Sequence, residues 1–193
     1  MSRFVVSALM LLLAGGTATT SSAGTITFDS SPGATPKTIV EDGVTATFTA
    51  TTQYVVYPAA AAFLQTLTGA VLLDLGDPNI DVVDVTFGQS YTHVSLLFAT
   101  PAGFGAAPFI LSAYDGTTLI GSASASGTLP SGGIHYEGMV SFKGSDTFNR
   151  ITLTSTVASF AIDNVSVSNS VAEPSMLVLL SIGAATLFRR RRV

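Results

Sequence analysis

The feature that most constrains the fold is a period-two alternation of apolar and polar residues in short runs. In "GVTATFTAT", Val44, Ala46 and Phe48 share one parity, and threonines occupy the other. Successive side chains of a strand point to opposite faces, so such a run fits a strand with one buried face. Gly, Pro, Asp and Asn interrupt the runs, and no long stretch has a helical period. The pattern predicts an all-β fold, an antiparallel β-sandwich.

Further runs of this kind are "HVSLLFA", "GMVSFKG", "FNRITLTST" and "FAIDNVSVSN". In "FILSAYDGTTLIGSA", the dipeptide Asp115-Gly116 between two runs predicts a hairpin. Two segments interrupt this rhythm. Residues 58–69 are Ala-rich and predict one or two turns of helix crossing an end of the sandwich. Residues 123–133 are predicted to be a loop.

The last predicted strand changes parity along its length. Apolar residues fall at positions 160 and 162, and then at 165 and 167. One strand buries both pairs only if an extra residue is inserted between them. We therefore predict a β-bulge at Asp163-Asn164, a device that often re-aims a side chain towards a site.

The first residues have the features of a secretory signal peptide. Arg3 precedes an apolar stretch from Phe4 to Ala14, and small and polar residues follow up to Ala23. The stretch is short for a membrane span. Residues 1–23 are therefore predicted to be a signal peptide, with cleavage after Ala23 or after Ala18.

Charge and cysteine content bound what the middle of the chain can do. The chain has no cysteine, which excludes disulfides, thiolate metal sites and a cysteine nucleophile. A domain of this size can be held together by its core alone. Between Gly24 and Val171 lie only three of the eight basic residues but eleven of the twelve acidic ones. Without a basic face, this region is not expected to bind nucleic acid.

The last residues have the pattern of a short membrane anchor. Residues 175–188 are mostly apolar, and four arginines follow them: Arg189, Arg190, Arg191 and Arg192. As a helix the run would span about 21 Å. The hydrocarbon core is roughly 30 Å thick, so a thinned bilayer or snorkelling arginines would be required. The arginines predict a stop signal, with residues 189–193 in the cytoplasm and the middle domain outside.

The residues Ala172, Glu173, Pro174 and Ser175 precede this helix. The order of motif, apolar helix and arginine cluster resembles the PEP-CTERM sorting signal of Gram-negative bacteria, a segment also labelled an ice-binding-protein C-terminal domain. Ala172 departs from the family, which has a proline there. The resemblance implies a linker and sorting motif at residues 169–174, processing by an exosortase-like enzyme, and transient tethering to the inner membrane. It also implies release to the cell surface or into an exopolysaccharide matrix.

The strand runs within residues 85–168 resemble the jelly-roll ectodomains common among PEP-CTERM proteins, which look like carbohydrate-binding modules. The resemblance implies a jelly-roll-like sandwich over residues 24–168. Such modules often hold a structural calcium between their first and last strands. By this resemblance, Asp163 would pair with Asp29, or alternatively with Glu41 and Asp42.

A second candidate calcium site comes from the residues themselves. The segment "DLGDPNIDVVD" contains Asp74, Asp77, Asp81 and Asp84. Calcium takes about six to eight oxygen ligands, which such a segment could supply in part. The spacing is not that of an EF-hand loop. The alternative is a turn at Asp77 with solvated strand positions on either side.

The sequence carries no strong catalytic pattern. A glycosidase needs two carboxylates across the scissile bond, and neither a local acidic pair nor a G-x-S-x-G elbow marks a site. His93 is interpreted as a structural histidine. His135 in "GGIHYEG" is predicted to lie in a loop with Tyr136 and Glu137 that could form a binding surface. The remaining tyrosines are interpreted as core and edge packing: Tyr54, Tyr57, Tyr91 and Tyr114.

The two ends and the middle together predict an exported, non-enzymatic protein of the cell surface or exopolysaccharide matrix. A glycan-binding module is the favoured role, with calcium as the one cofactor considered and no catalytic residue assigned. The alternatives are an extracellular polysaccharide hydrolase and a structural surface protein without a specific ligand. A pKa-shifted carboxylate pair in a cleft would favour the hydrolase, and a shallow polar face would favour binding.

Overall fold

The structure is a computed structural model that describes residues 23–74, 82–157 and 159–169. The predictions for the signal peptide, the sorting motif at 172–175, the helix at 175–188 and Arg189–Arg192 lie outside these residues. Those for Asp77 and Asp81 lie outside them as well. Within the described ranges, no helix combines the length and the apolar character that crossing a bilayer requires.

The described chain is all-β, as predicted, and its strand pairs are antiparallel. Two short 3-10 turns, Ala59–Ala62 and Ala102–Phe104, connect strands. The ten strands are β1 (Ala23–Ile26), β2 (Lys37–Glu41), β3 (Val44–Ala50), β4 (Tyr54–Pro58), β5 (Ala70–Asp74), β6 (Val82–Pro101), β7 (Pro108–Asp115), β8 (Thr118–Ser126), β9 (His135–Ser155) and β10 (Ala161–Ser168).

Two long strands run through both layers of the fold. β6 and β9 have 20 and 21 residues and pair with each other, with register shifts between Thr86 and His93. The first half of β6 also pairs with β3, and its second half pairs with β10. Layer one thus contains β2, β3, the first half of β6, the second half of β9, β7 and β8. Layer two contains β4, β5, β10, the second half of β6, the first half of β9, and β1 beside β10.

The inner faces of the two layers meet in an aromatic core. The ring of Phe98 in layer two stacks on Phe109 in layer one, with centroids 4.5 Å apart. Phe109 also meets Phe160 edge to face at 5.0 Å, and at the other end Phe28 contacts Phe48 at 5.2 Å. Since these contacts join side chains from opposite layers, the predicted sandwich is present. The strands and the hydrophobic core between them lie within residues 23–169, which we call the sandwich domain. This domain therefore contains a complete hydrophobic core.

The predicted turn and bulge are both confirmed. β7 and β8 form a hairpin around Asp115 and Gly116, and the register of β10 on β6 shifts between Asp163 and Ser166. Asn164, with φ 50°, is the residue that takes the left-handed conformation there. A second hairpin joins β2 to β3 through Asp42-Gly43, where both residues have positive φ, the geometry that fits the twist of the paired strands.

Two predictions about loops are wrong. Residues 123–126 belong to β8, because Ala123 and Ala125 pair with β7 and pack against the core. His135, Tyr136 and Glu137 open strand β9 instead of lying in a loop. The prediction for residues 58–69 is confirmed in part. The segment contains one helical turn, the 3-10 turn Ala59–Ala62, but it lies on the outer face of layer two and not across an end of the sandwich, because Leu64 and Leu67 pack there on outward-facing alanines.

Candidate functional sites: a polar sheet face and a carboxylate-anchored strap

The outer face of layer one is a polar surface built by strand alternation. Inward positions of β3, β6, β7 and β9 are buried, so their alternate residues face outward. Register brings these outward residues into two adjacent rows across the strands. We call them the polar face, and none is fully buried: Thr38, Thr47, Thr86, Arg150 and Tyr114 in one row, and Thr49, Asp84, Thr152, Ser112 and Ser122 in the next.

Arg150 is the centre of this polar face. Its Nη2 lies 2.8 Å from Oδ1 of Asp84, and its Nε donates to the same oxygen at 2.9 Å. Its guanidinium carbon lies 5.0 Å from the centroid of the Tyr114 ring, within the range of a cation–π contact. Both ion-pair side chains are about one-third exposed. The pair therefore fixes a planar donor group and an aromatic ring side by side, in reach of solvent.

A different arrangement covers layer two. Residues 59–70, which we call the strap, cross its outer face, and Leu64 and Leu67 pack on Ala99 and Ala161. Glu137 lies beneath the strap and is only 3% exposed. Its carboxylate accepts hydrogen bonds from the backbone N–H groups of Gln65, at 2.7 Å, and Thr66, and from the Thr66 hydroxyl. A buried charge that accepts several hydrogen bonds is stabilised, so Glu137 anchors the strap to β9.

Two further carboxylates hold the end of the strap. Asp163 at the bulge accepts the N–H of Thr68 at 3.4 Å, and Asp29 accepts the N–H of Ala70 at 2.7 Å. Gly69 between them has φ 70°, and a side chain there would collide with the Asp29 carboxylate. Asp163 also accepts the N–H of Asn164 at 2.7 Å, so the bulge satisfies part of its own backbone.

The structure brings Asp29 and Asp163 together, as one of the two predicted pairings requires. Burial and, to a smaller extent, the negative charge of Asp29 raise the pKa of Asp163 to about 6, although hydrogen bonds from Asn164 and Thr68 act to lower it. Asp163 is 1% exposed. This is a desolvated carboxylate beside a second one, a donor set of hard oxygens that a calcium ion would stabilise. Within the described ranges, no three Asp, Glu or His side chains come together as a group that could hold a metal ion, so the candidate site has two carboxylates.

The other candidate residues have separate partners. Glu41 accepts the N–H of Thr27 at 2.7 Å and a hydroxyl bond from Ser30. Burial would raise the pKa of Glu41, but these hydrogen bonds outweigh it and lower the pKa. Asp42 accepts the N–H of Thr25 at 3.3 Å. Both carboxylates tie β1 to the β2–β3 hairpin. Asp74 is the last residue of β5, and its proposed role stays a prediction.

A cavity of about 320 Å³ opens between the strap and the adjoining ends of β6, β9 and β10. Its walls are mostly apolar, with Ala99, Pro101 and Phe160 among them and Phe63 and Ile134 at positions that are 66% and 55% exposed. His135 also lines it, and burial lowers the pKa of this imidazole, against the raising effect of Glu137. Neither Asp29 nor Asp163 lines the cavity, so Asp163, the carboxylate whose pKa burial raises, lies under the strap and not in a cleft.

Sequence reasoning missed the polar face and the anchoring role of Glu137. Arg150, Tyr114 and Asp84 lie on three different strands, and only the register of β6, β7 and β9 brings them together. In the sequence Asp84 belongs to the acidic segment that predicts a calcium site, whereas in the structure it pairs with Arg150. The available signal for the face was the alternation of threonine and serine in several runs. The role of Glu137 was harder to predict, because the two glycines just before its segment favour a loop and not a strand.

No protein-family model matches this chain, and no curated protein matches it. Solved structures of similar fold include the K2 cleaved adhesin domain of Lys-gingipain, with 15% identity, a TM-score of 0.47, and coverage of 76% of this chain and 99% of that one. The K1 adhesin domain of Lys-gingipain from Porphyromonas gingivalis has 10% identity and a TM-score of 0.43, covering 78% and 99%. The catalytic domain of GH87 alpha-1,3-glucanase in complex with nigerose has 12% identity and a TM-score of 0.42, covering 80% of this chain but only 30% of that one. At these identities and scores, no activity or ligand of those proteins transfers to this chain.

Proposed function

We propose that this chain is an exported, non-enzymatic surface protein whose jelly-roll-like sandwich binds a glycan on the polar face. The observation that carries the proposal is the Arg150 guanidinium, held between Asp84 and the Tyr114 ring among rows of hydroxyl side chains. Sugars are recognised by directed polar groups beside a flat aromatic or guanidinium surface, which this arrangement supplies. Six strands spaced by about 4.8 Å give a face roughly 25 Å across, enough to hold several residues of a linear polysaccharide.

The remaining parts of the proposal follow from the two chain ends and the strap. The signal peptide would export the chain, and the sorting tail would tether it for exosortase processing at the surface of a Gram-negative bacterium. Calcium would act as a structural ion at Asp29 and Asp163, stiffening the bulge and the strap. In this proposal Asp84, Glu137 and Asp163 have structural roles, since each is engaged by a guanidinium or by backbone N–H groups.

The test is retention of the sandwich domain on the extracellular polysaccharide of the source bacterium, with calcium and with chelator. We expect Arg150→Ala and Tyr114→Ala each to weaken retention by at least about tenfold, since each removes a directed contact. Lys143→Ala and Tyr57→Ala are matched controls, because both side chains are exposed on layer two. Retention that is the same in all four variants would reject the polar face. Shortening of the polymer would favour the hydrolase instead, and no retention at all would leave a structural surface protein.

A further inference from the structure

We propose that the cavity beneath the strap binds a small uncharged molecule that contains an aromatic ring. This site is separate from the polar face, because the cavity lies on the outer side of layer two. A volume of about 320 Å³ falls within the range of small-molecule pockets and exceeds what a single benzene-sized ring needs.

The residues around the cavity disfavour a charged ligand. Three of the segments that contribute residues to the cavity wall are 58–69, 100–108 and 127–134, and none contains Asp, Glu, Lys or Arg. His135 is the titratable residue on the cavity wall, and its lowered pKa keeps the imidazole neutral at pH 7. Glu137 is buried and already accepts three hydrogen bonds from the strap. An ionic ligand would therefore lose its hydration without gaining a counter-charge, whereas a neutral ligand loses little.

The aromatic side chains that line the cavity indicate that its ligand is aromatic. Phe160 is buried and fixed against Tyr54 and Phe109, so it gives a rigid wall. Phe63 is 66% exposed and takes φ 59° and ψ 30°, the left-handed conformation that bulky residues rarely adopt. Glycine would end the 3-10 turn at this position without steric cost. A phenylalanine held there in spite of that cost, at the cavity and not in the core, is consistent with a ring that contacts a ligand.

The experiment titrates the sandwich domain with two fluorescent probes that share one aromatic skeleton. N-phenyl-1-naphthylamine is uncharged, and 1-anilinonaphthalene-8-sulfonate carries one negative charge. We expect the neutral probe to bind at least about tenfold more tightly than the anion, because the desolvated charge has no partner. Equal affinities, or tighter binding of the anion, would overturn the proposal.

Variants then locate the site. Phe63→Ala and Phe63→Gly should each weaken binding of the neutral probe by roughly five- to tenfold, the range of a lost aromatic contact. The glycine variant suits the left-handed backbone, so it separates loss of the ring from loss of the turn. Phe104→Ala is the control, since Phe104 is also 66% exposed but does not line the cavity. Equal loss in the Phe63 and Phe104 variants, or no loss in either, would show that the probe binds elsewhere.

Discussion

At the residue scale, Asp163 combines a structural role with an energetic cost. Its carboxylate completes the bulge and holds Thr68, yet burial raises its pKa from 3.8 to about 6. A group that binds protons more tightly when folded favours the folded state in acid. Its destabilising effect is thus fully present above pH 6 and disappears as the pH falls from about 6 to about 3.8.

This sign leads to a measurable prediction for the metal-free protein. In chelator, lowering the pH from 7 to 5 should raise the contribution of Asp163 to the free energy of unfolding by about 1 kcal/mol. Urea melts of the wild type and Asp163→Asn measure it, because the variant lacks this pH dependence. Asp115→Asn, at an exposed hairpin, is the control and should follow the wild type. A variant of Asp163 with the wild-type pH dependence between pH 5 and 7 would contradict the assignment. The comparison isolates Asp163, because Glu41 and His135, whose pKa values are both lowered, are present in the wild type and in the variant.

At the element scale, the middle of the strap is held by hydrogen bonds to one buried carboxylate, that of Glu137. Glu137→Gln replaces one acceptor oxygen by an NH₂ group, which would face a backbone N–H of Gln65 or Thr66 without an acceptor. We expect this change to cost about 1–3 kcal/mol of stability, the usual penalty for a buried polar group left unpaired. Faster hydrogen exchange should appear first at the amides of Gln65 and Thr66, because the strap opens locally before the sandwich unfolds.

The matched control for this prediction is Asp146→Asn, which neutralises an exposed carboxylate that contacts only a neighbouring hydroxyl in the described contacts. It should change neither the stability nor the exchange of the strap. If Glu137→Gln exchanges like the control at Gln65 and Thr66, the carboxylate does not anchor the strap.

The elements that sequence predicted well are those whose signal is local. The bulge in β10 follows from the parity change between positions 162 and 165, since a strand cannot otherwise bury both sets of side chains. The Asp115-Gly116 hairpin follows from turn chemistry in the same way. By contrast, the strap and Glu137 depend on partners about seventy residues apart. The Ala-rich segment favours helix by propensity, but outward-facing Ala99 and Ala161 give Leu64 and Leu67 a surface on which to pack.

The candidate sites were hard to predict for the same reason, because their residues are far apart in the chain. Asp29 and Asp163 could be paired from sequence only through a resemblance, because Asp29 follows β1 and Asp163 lies in β10, two strands that pair with each other but are far apart in the chain. Arg150, Asp84 and Tyr114 meet only through the register of three strands. No composition or spacing rule fixes that register before the pairing of the long strands is known.

At the scale of the whole molecule, the ends of the described chain and the cavity lie at opposite ends of layer two. Ala23 pairs with Ser168 at one end, while Ala161 pairs with Ala99 beside the cavity. Seven residue-to-residue steps along the strand separate Ala161 from Ser168, which corresponds to about 23 Å. If the tail after Asn169 tethers the protein as proposed, the cavity points away from the membrane and the polar face lies along the side.

Calcium should act on the stability of this whole unit, because Asp29 follows β1, Asp163 lies in β10, and both hold the strap. We expect the melting temperature of the sandwich domain to rise with calcium concentration, following the linkage between ligand binding and unfolding. Binding requires ionised carboxylates, so the calcium-dependent gain should shrink as the pH falls from 7 to 5. In chelator, the contribution of Asp163 changes in the opposite direction over the same range. Asp163→Asn should abolish both trends, whereas Asp84→Asn should keep them, since Asp84 belongs to the polar face. A calcium-dependent rise in melting temperature that survives in Asp163→Asn would show that the ion binds elsewhere than at the bulge. No rise in the wild type would show that calcium is not part of the proposed function. Glycan binding by the polar face is tested separately.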